Sequence, residues 1–168
     1  MNRPKTITNK NAEDITYWLD SKYKLVAMLA IETGLRISDI LDLRKKDIKS
    51  PNMRIYEKKS RQYRKFKISE NLHKKLKDFT VMHFDKDFIF RSSRTGVDHV
   101  HRTTIHRNIK KAIKWLKFDC SAHSLRKLYA MNVLTETGSI YAVQRNLNHQ
   151  KLSTTLTYLD IPTPEVKI

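Results

Sequence analysis

Apolar residues recur along this chain with two different periods. Leu25, Met28 and Leu29 share one side of a 3.6-residue repeat, which predicts a helix over residues 23–33 that Gly34 stops. An earlier helix is expected over residues 12–19. Leu35 and Arg36 turn the chain, and Ile37, Ile40 and Leu41 then mark a short third helix. The period next drops to two. Residues 52–58 (NMRIYEK) and 63–69 (YRKFKIS) alternate apolar and charged side chains around Lys59-Ser60-Arg61-Gln62, the pattern of a hairpin with a basic tip. Helical spacing returns at Leu72, Leu76 and Phe79. Phe88-Ile89-Phe90 is a short run expected to be buried, and residues 91–98 (RSSRTGVD) are a polar loop. A long helix over 103–116 turns Ile105, Ile109, Ile113 and Leu116 inward and Arg107, Lys110, Lys111 and Lys114 outward. Three helical pieces follow. The first has Leu125, Leu128, Tyr129 and Val133 on its core face and ends at Gly138. The second is capped by Ser139 and buries Ile140, Val143 and Leu147; the third is capped by Ser153 and carries Tyr158. Residues 1–10 are expected to be a flexible arm and 161–168 a short tail. The fold class is mainly α (α+β), with a small antiparallel sheet or hairpin on one edge.

Bulk properties narrow the partners. At 168 residues the chain is one domain, long enough to bury about 70% of its unfolded surface. No apolar run approaches the ~18 residues needed to span a membrane. The N-terminus lacks the apolar stretch of a secretion signal, so a cytoplasmic location is expected, nucleoid-associated if the source is bacterial. The single cysteine, Cys120, excludes an internal disulfide and a Cys-rich zinc site, and reads as a core residue. Charge changes the picture most. Lys and Arg total 34 against 17 Asp and Glu, a net +17. Such a surplus favours a polyanion, through phosphate contacts and counterion release. A membrane is not expected as partner, because no segment joins a basic face to a bulky apolar one.

The residues with candidate chemistry are concentrated in 122–160, with Arg36 and Lys59 upstream. His123 and Arg126 are three residues apart, His149 lies 23 beyond Arg126 and Tyr158 nine beyond His149. A protein hydroxyl that attacks a phosphodiester builds negative charge on the non-bridging oxygens. Guanidinium groups suit those oxygens because they are planar, bidentate and always charged. Arg36 and Arg126 are both expected at helix beginnings, where backbone N–H groups also favour an anion. A tyrosine must lose its proton as it attacks, and a histidine or the arginine field can assist. The leaving alkoxide needs an acid, for which a lysine on a mobile hairpin is suited. No cofactor is expected, and the sequence holds no carboxylate cluster for a metal. Taken singly, each residue has an ordinary reading: Arg36 a surface cation, His123 a cap or core histidine, Tyr158 a packed tyrosine, Lys59 one lysine among many.

Taken in order, they resemble the tyrosine recombinase (phage integrase) family. Thr33-Gly34-Leu35-Arg36-Ile37-Ser38-Asp39-Ile40-Leu41-Asp42-Leu43 is similar to the family's T-G-L-R-x-S-E-L-x-x-L segment. His123-Ser124-Leu125-Arg126 resembles H-x-L-R, Asn148-His149 stands where the family usually has Gly-His, and Ser153 to Tyr158 resembles S-T-T-x-x-Y. Lys59 to Ile68 matches the length of the family hairpin between the two blocks. The resemblance covers about residues 22–160. It implies the family's helical catalytic-domain fold and site-specific DNA recombination or integration, by strand cleavage and rejoining through a 3′-phosphotyrosyl intermediate. It implies that Arg36 and Arg126 hold the scissile phosphate, Lys59 protonates the leaving 5′ oxygen, His123 moves a proton near the nucleophile, His149 hydrogen-bonds the phosphate and Tyr158 attacks. Asp39 fits an acidic supporting position. Lys58, Arg61, Arg107, Lys111 and Lys127 are the expected further DNA contacts.

Several positions depart from the family pattern. Asn148 replaces Gly, and Lys127 replaces a common His and is read as a backbone or phosphate contact. Lys67 stands where Pro is frequent. Lys58 and Lys59 are adjacent, and the spacing to Arg64 and Ile68 favours Lys59 as the acid. Only 35 residues precede Arg36, which leaves no room for the family's N-terminal DNA-clamping domain, so the sequence reads as a single catalytic domain over 1–168. Ten residues follow Tyr158, where many relatives have a helix that packs on a neighbouring subunit. Double-stranded DNA is the implied partner, with self-association on it and accessory DNA-bending proteins as further candidates. Two alternatives stand beside this reading: a non-catalytic basic DNA-binding module of the same fold, and a type IB-like topoisomerase.

Overall fold

The computed structural model describes residues 5–162. Eight α-helices, two short 3-10 helices and one two-stranded sheet make up its named elements among the described residues. Helix α1 (Asn9–Trp18) begins earlier than its apolar spacing suggested, because Thr8 and Asn11 form a reciprocal cap. The Asn11 N–H donates to the Thr8 hydroxyl at 3.1 Å, and the Thr8 N–H donates to the Asn11 side chain at 3.0 Å. Ile7 is buried and residues 9 and 10 already belong to α1, while residues 5, 6, 8, 9 and 10 are exposed. Residues 1–4 of the expected arm and 163–168 of the tail lie outside the described residues.

Helix α2 (Ser21–Thr33) buries Leu25, Val26, Ala27, Leu29, Ala30 and Thr33, too broad an apolar face for a surface helix, and it forms the centre of the molecule. Gly34 ends it at φ +63, where its N–H donates to the Ala30 carbonyl. Helix α3 (Ile37–Leu41) follows directly. Strands β1 (Asn52–Glu57) and β2 (Gln62–Lys67) pair antiparallel from Asn52 opposite Lys67 to Glu57 opposite Gln62. Met53, Ile55 and Glu57 face inward on β1. Helix α4 (Glu70–Phe79) is capped by the Ser69 hydroxyl. Ile89 and Phe90 are fully buried, Phe88 partly, in a turn flanked by isolated bridges at Phe88 and Arg91.

Helix α5 (Arg102–Ala112) is shorter than the 103–116 expected from its periodicity. Residues Ile113–Trp115 tighten into a 3-10 turn, and Leu116 goes extended at ψ 140, which re-aims the chain so that Cys120 is buried. Helices α6 (Ala122–Thr137) and α7 (Ile140–Leu147) fall where expected, with Ser121 and Ser139 as their caps. Helix α8 (Leu152–Leu159) does not use Ser153 as its cap: the cap is Lys151, and Ser153 is already helical. The turn after α7 brings the chain into helical geometry two residues earlier than the Ser-Thr-Thr run implied.

Two apolar clusters result. The larger runs from Ile7 to Leu128. The smaller joins Ala130, Val133, Ala142, Val143, Leu147 and Leu159. Helix α6 contributes to both. No helix among the described residues is long and apolar enough to cross a membrane.

Candidate active site

Six parts of the fold meet at one cleft of about 280 Å³, one of them α5 with Arg102 and His106. The start of α3 brings Arg36, the hairpin turn Lys59, the first turns of α6 His123 and Arg126, the turn after α7 His149, and α8 Tyr158. All six of the residues singled out by order and spacing line it.

Arg126 is the most constrained. It is almost wholly buried, and its guanidinium donates to the carbonyls of Gly34 and, at 2.8 Å, Leu147. It therefore ties the end of α2 to the end of α7. Burial, then the nearby Arg36 cation, push its pKa down to about 10, which leaves it charged at neutral pH. Arg126 is the fifth residue of α6 rather than a first-turn residue as expected, so any hold on an anion comes from its side chain and not from free helix N–H groups. Arg36 does sit at a helix start, as the residue capping α3. Its Nη1 is buried without a hydrogen-bond partner among the described residues and stands 3.9 Å from Asp39 Oδ2, which is equally unpartnered. An orphaned buried donor is costly, and an anion that enters the cleft relieves the cost. Burial raises the Asp39 pKa, against the lowering pull of Arg36.

The two histidines differ in support. The His149 Nδ1 lies 3.0 Å from the hydroxyl of buried Thr155, and its ring meets the Tyr158 ring edge-on at 5.6 Å. Thr155 occupies Nδ1 and leaves Nε2 as the ring's remaining polar atom. Burial, reinforced by Arg126, Arg36 and Lys59, pushes His149 down to about 4, so it is neutral at pH 7. His123 stacks on His106 at 6.3 Å. Desolvation lowers its pKa too, followed by His106 and Arg126. The Tyr158 hydroxyl donates to the His123 backbone carbonyl at 3.1 Å. Burial pushes its pKa up to about 12, although Arg126 and Arg36 pull the other way.

A pH dependence follows from His149. Its folded-state pKa of about 4 lies below the ordinary 6.5, so the unfolded chain binds the proton more readily. The associated stability is complete above pH 6.5 and is lost as pH falls toward 4. The urea midpoint should drop between pH 7 and pH 4.5, and His149→Gln should remove part of that drop. An equal drop in the variant would contradict the assignment.

The adjacent lysines separate. Lys59 lines the cleft, while Lys58 points away and pairs with Asp42 at 2.7 Å. Arg61 is exposed in the hairpin turn at φ +54. Arg107 and Lys111 are exposed on α5, outside the cleft. Lys127 overturns its expectation as a DNA contact. It is fully buried and forms an ion pair with Asp160, so it cannot reach a phosphate. One step along a helix turns a side chain by about 100°, which sends Lys127 inward while Arg126 faces the cleft.

Sequence reasoning missed two cleft residues, Arg102 and His106, both on α5. Their clustering in RTTIHR was visible, but which flank of that helix meets the cleft depends on packing. It also missed Glu57, a fully buried carboxylate in β1. Burial alone would raise the Glu57 pKa, but hydrogen bonds and charge from Asn148, Arg64 and Ser60 outweigh it and hold the group ionised.

Known proteins resemble this chain in sequence and in fold. The model of the phage integrase family matches residues 5–163. A tyrosine recombinase of Thermosipho africanus is 32% identical over 148 residues, covering 86% of this chain and 51% of that protein. The crystal structure of XerA recombinase superposes with a TM-score of 0.79 at 22% identity, over 96% of this chain and 62% of that one. A lambda integrase dimer bound to a COC′ core site gives a TM-score of 0.74 at 20% identity, over 99% of this chain and 52% of that one. The chain thus spans about half the length of the Thermosipho relative. At these identities the two superpositions show a shared fold.

Proposed function

The chain belongs to the phage integrase family, and from that premise we propose that it cleaves and rejoins double-stranded DNA at specific sites, with Tyr158 as nucleophile. The observation that carries this reading is the convergence of Arg36, Lys59, His123, Arg126, His149 and Tyr158 on one cleft from separate parts of the chain.

In this mechanism Arg36 and Arg126 bind the non-bridging oxygens of the scissile phosphate. The unpartnered Nη1 of Arg36 is a donor in want of such an acceptor. The neutral His149 donates a hydrogen bond from Nε2 while Thr155 holds its other nitrogen. The Tyr158 hydroxyl leaves the His123 carbonyl, passes its proton to the neutral His123 ring, and attacks phosphorus. A bond from Tyr158 Oη to phosphorus forms, and the bond to the 5′ oxygen breaks as Lys59 Nζ donates a proton to that oxygen. Rejoining is the reverse, with a 5′ hydroxyl attacking the phosphotyrosine. One phosphodiester is exchanged for another, so bond energy is conserved in the covalent intermediate. Burial makes Tyr158, pushed up to about 12, costly to ionise, and the two guanidinium groups beside it offset part of that cost. Arg61, Arg107 and Lys111 contact the DNA backbone in this reading. Lys58 can trade its exposed Asp42 pair for a phosphate at little cost. Self-association on DNA is part of the same proposal, in line with the dimeric state of the DNA-bound lambda integrase neighbour.

The test uses the full chain and a pool of nicked duplexes randomised around the nick, so that a small fragment is lost on cleavage and the adduct is trapped. A protein–DNA adduct that survives a denaturing gel is expected. DNA binding with no adduct on any member of the pool would favour a non-catalytic binding module. Relaxation of supercoiled plasmids irrespective of sequence would favour a topoisomerase.

A further inference from the structure

We propose that Asn148 and Glu57 are positioning residues that set the reach of Lys59 into the cleft, by fastening the hairpin to the turn that carries His149. The inference rests on the reading of Lys59 as the acid for the leaving oxygen.

Lys59 stands in an exposed turn of a two-stranded hairpin. Such a hairpin is marginal by itself and does not fix the position of its tip. What holds it is an array of polar bonds at its end. Glu57, two residues before Lys59, is fully buried. Its carboxylate accepts from Asn148 Nδ2 at 3.0 Å, Arg64 Nη1 at 3.0 Å and Ser60 Oγ at 3.1 Å. Arg64, on the opposite strand, donates its other arm to the Asn146 carbonyl at 2.9 Å. Both strands are therefore bonded to the end of α7, immediately before His149. On the far side Lys58 pairs with Asp42, which closes α3. The Lys58–Asp42 pair is largely solvent-exposed and adds little, so the turn is held chiefly by the buried bonds on the α7 side.

The chemistry is costly if packing is its only purpose. The other inward positions of β1 are Met53 and Ile55, and an apolar side chain would continue that face without desolvating a carboxylate. The residue after α7 adopts φ +54 and ψ 49, a conformation that Gly meets without strain. Asn accepts it less easily but adds an amide that reaches across 91 residues of sequence to Glu57. The amide links the placement of the acid to that of His149.

The test separates proton donation from all other effects. DNA carrying sulfur in place of the bridging 5′ oxygen expels a thiolate, whose conjugate acid has a pKa near 8.5, and needs no acid. Lys59→Ala serves as the reference: slow on ordinary DNA and near wild type on the sulfur substrate. Asn148→Gly keeps the backbone geometry and deletes the amide. It is expected to slow adduct formation on ordinary DNA by about tenfold to a hundredfold, within the range of acid–base assistance, with DNA affinity unchanged. On the sulfur substrate it should stay within about threefold of wild type, as a lost proton donor predicts. Glu57→Gln should show the same split, and is read alongside in case either variant loses its fold on thermal melting. Equal slowing on both substrates, or none on ordinary DNA, overturns the inference. No adduct from the wild-type chain on either substrate overturns the phosphotyrosine reading beneath it, and equal slowing of Lys59→Ala on both overturns the role of Lys59.

Discussion

Replacing Tyr158 by Phe is expected to abolish the covalent adduct while DNA affinity and fold persist. The hydroxyl makes one hydrogen bond, to the His123 carbonyl, at the rim of the cleft. Its loss exposes that carbonyl to water and costs about 1 kcal/mol at most. The ring is retained, and with it the edge-on contact to His149 and the packing against the smaller cluster. On the proposed roles Arg36, Arg126 and Lys59 would keep their places in the cleft, so the salt dependence of DNA binding should be unchanged. Chemistry, by contrast, has lost its nucleophile. The adduct yield on the nicked pool should fall below detection. Ser38 and Thr154 also line the cleft and carry hydroxyls. An adduct that persists in Tyr158→Phe and disappears when one of these is also replaced would sink the assignment of Tyr158.

The largest loss of stability should come from Gly34→Ala. A left-handed φ of +63 disfavours Ala by about 1 kcal/mol. The added Cβ would also lie 2.2 Å from Cδ1 and 2.6 Å from Cε1 of Tyr129. That ring cannot simply swing away, because its hydroxyl donates to Asn146 at 2.9 Å and its body packs on the smaller cluster. Forcing a half-buried, hydrogen-bonded ring aside costs a further 1–3 kcal/mol or so. A total of about 3 kcal/mol is expected from these two sources, a large share of ordinary domain stability. The urea midpoint should fall accordingly, and a change under about 0.5 kcal/mol, the size of an ordinary surface substitution, would contradict the close approach. Activity should fall as well, since the Gly34 carbonyl is one of the two that hold Arg126.

Much of this arrangement was legible because local rules and the fold agree. The period of α2, the alternation of the hairpin and the stops at Gly34 and Gly138 all specify elements that tertiary packing then retains. The six cleft residues were legible differently. No periodicity joins Arg36 to Tyr158, and it was their order in a known pattern that grouped them. The failures share a cause. Lys127 takes the place of a common family His, which suggests a phosphate contact, yet a helix sends neighbours to different faces, and its partner Asp160 comes from another helix end. Asn148 stands where the family pattern has Gly, and its amide reaches the hairpin, a pairing no local pattern encodes. Cleft residues Arg102 and His106 depend on how α5 is rotated against its neighbours, which side-chain spacing leaves open.

The division of the core into two clusters has a mechanical side. In a covalent complex, tension on the DNA would enter the protein at Tyr158, near the end of α8. From there it would pass into the six buried side chains of the smaller cluster. It would reach the larger cluster through α6, through Arg126 and through the Arg64–Glu57–Asn148 bonds. Packing and hydrogen bonds yield well before a phosphodiester does. The first thing to give under load would therefore be the seat of the nucleophile helix, and the strand would stay attached to a molecule whose larger core was still intact.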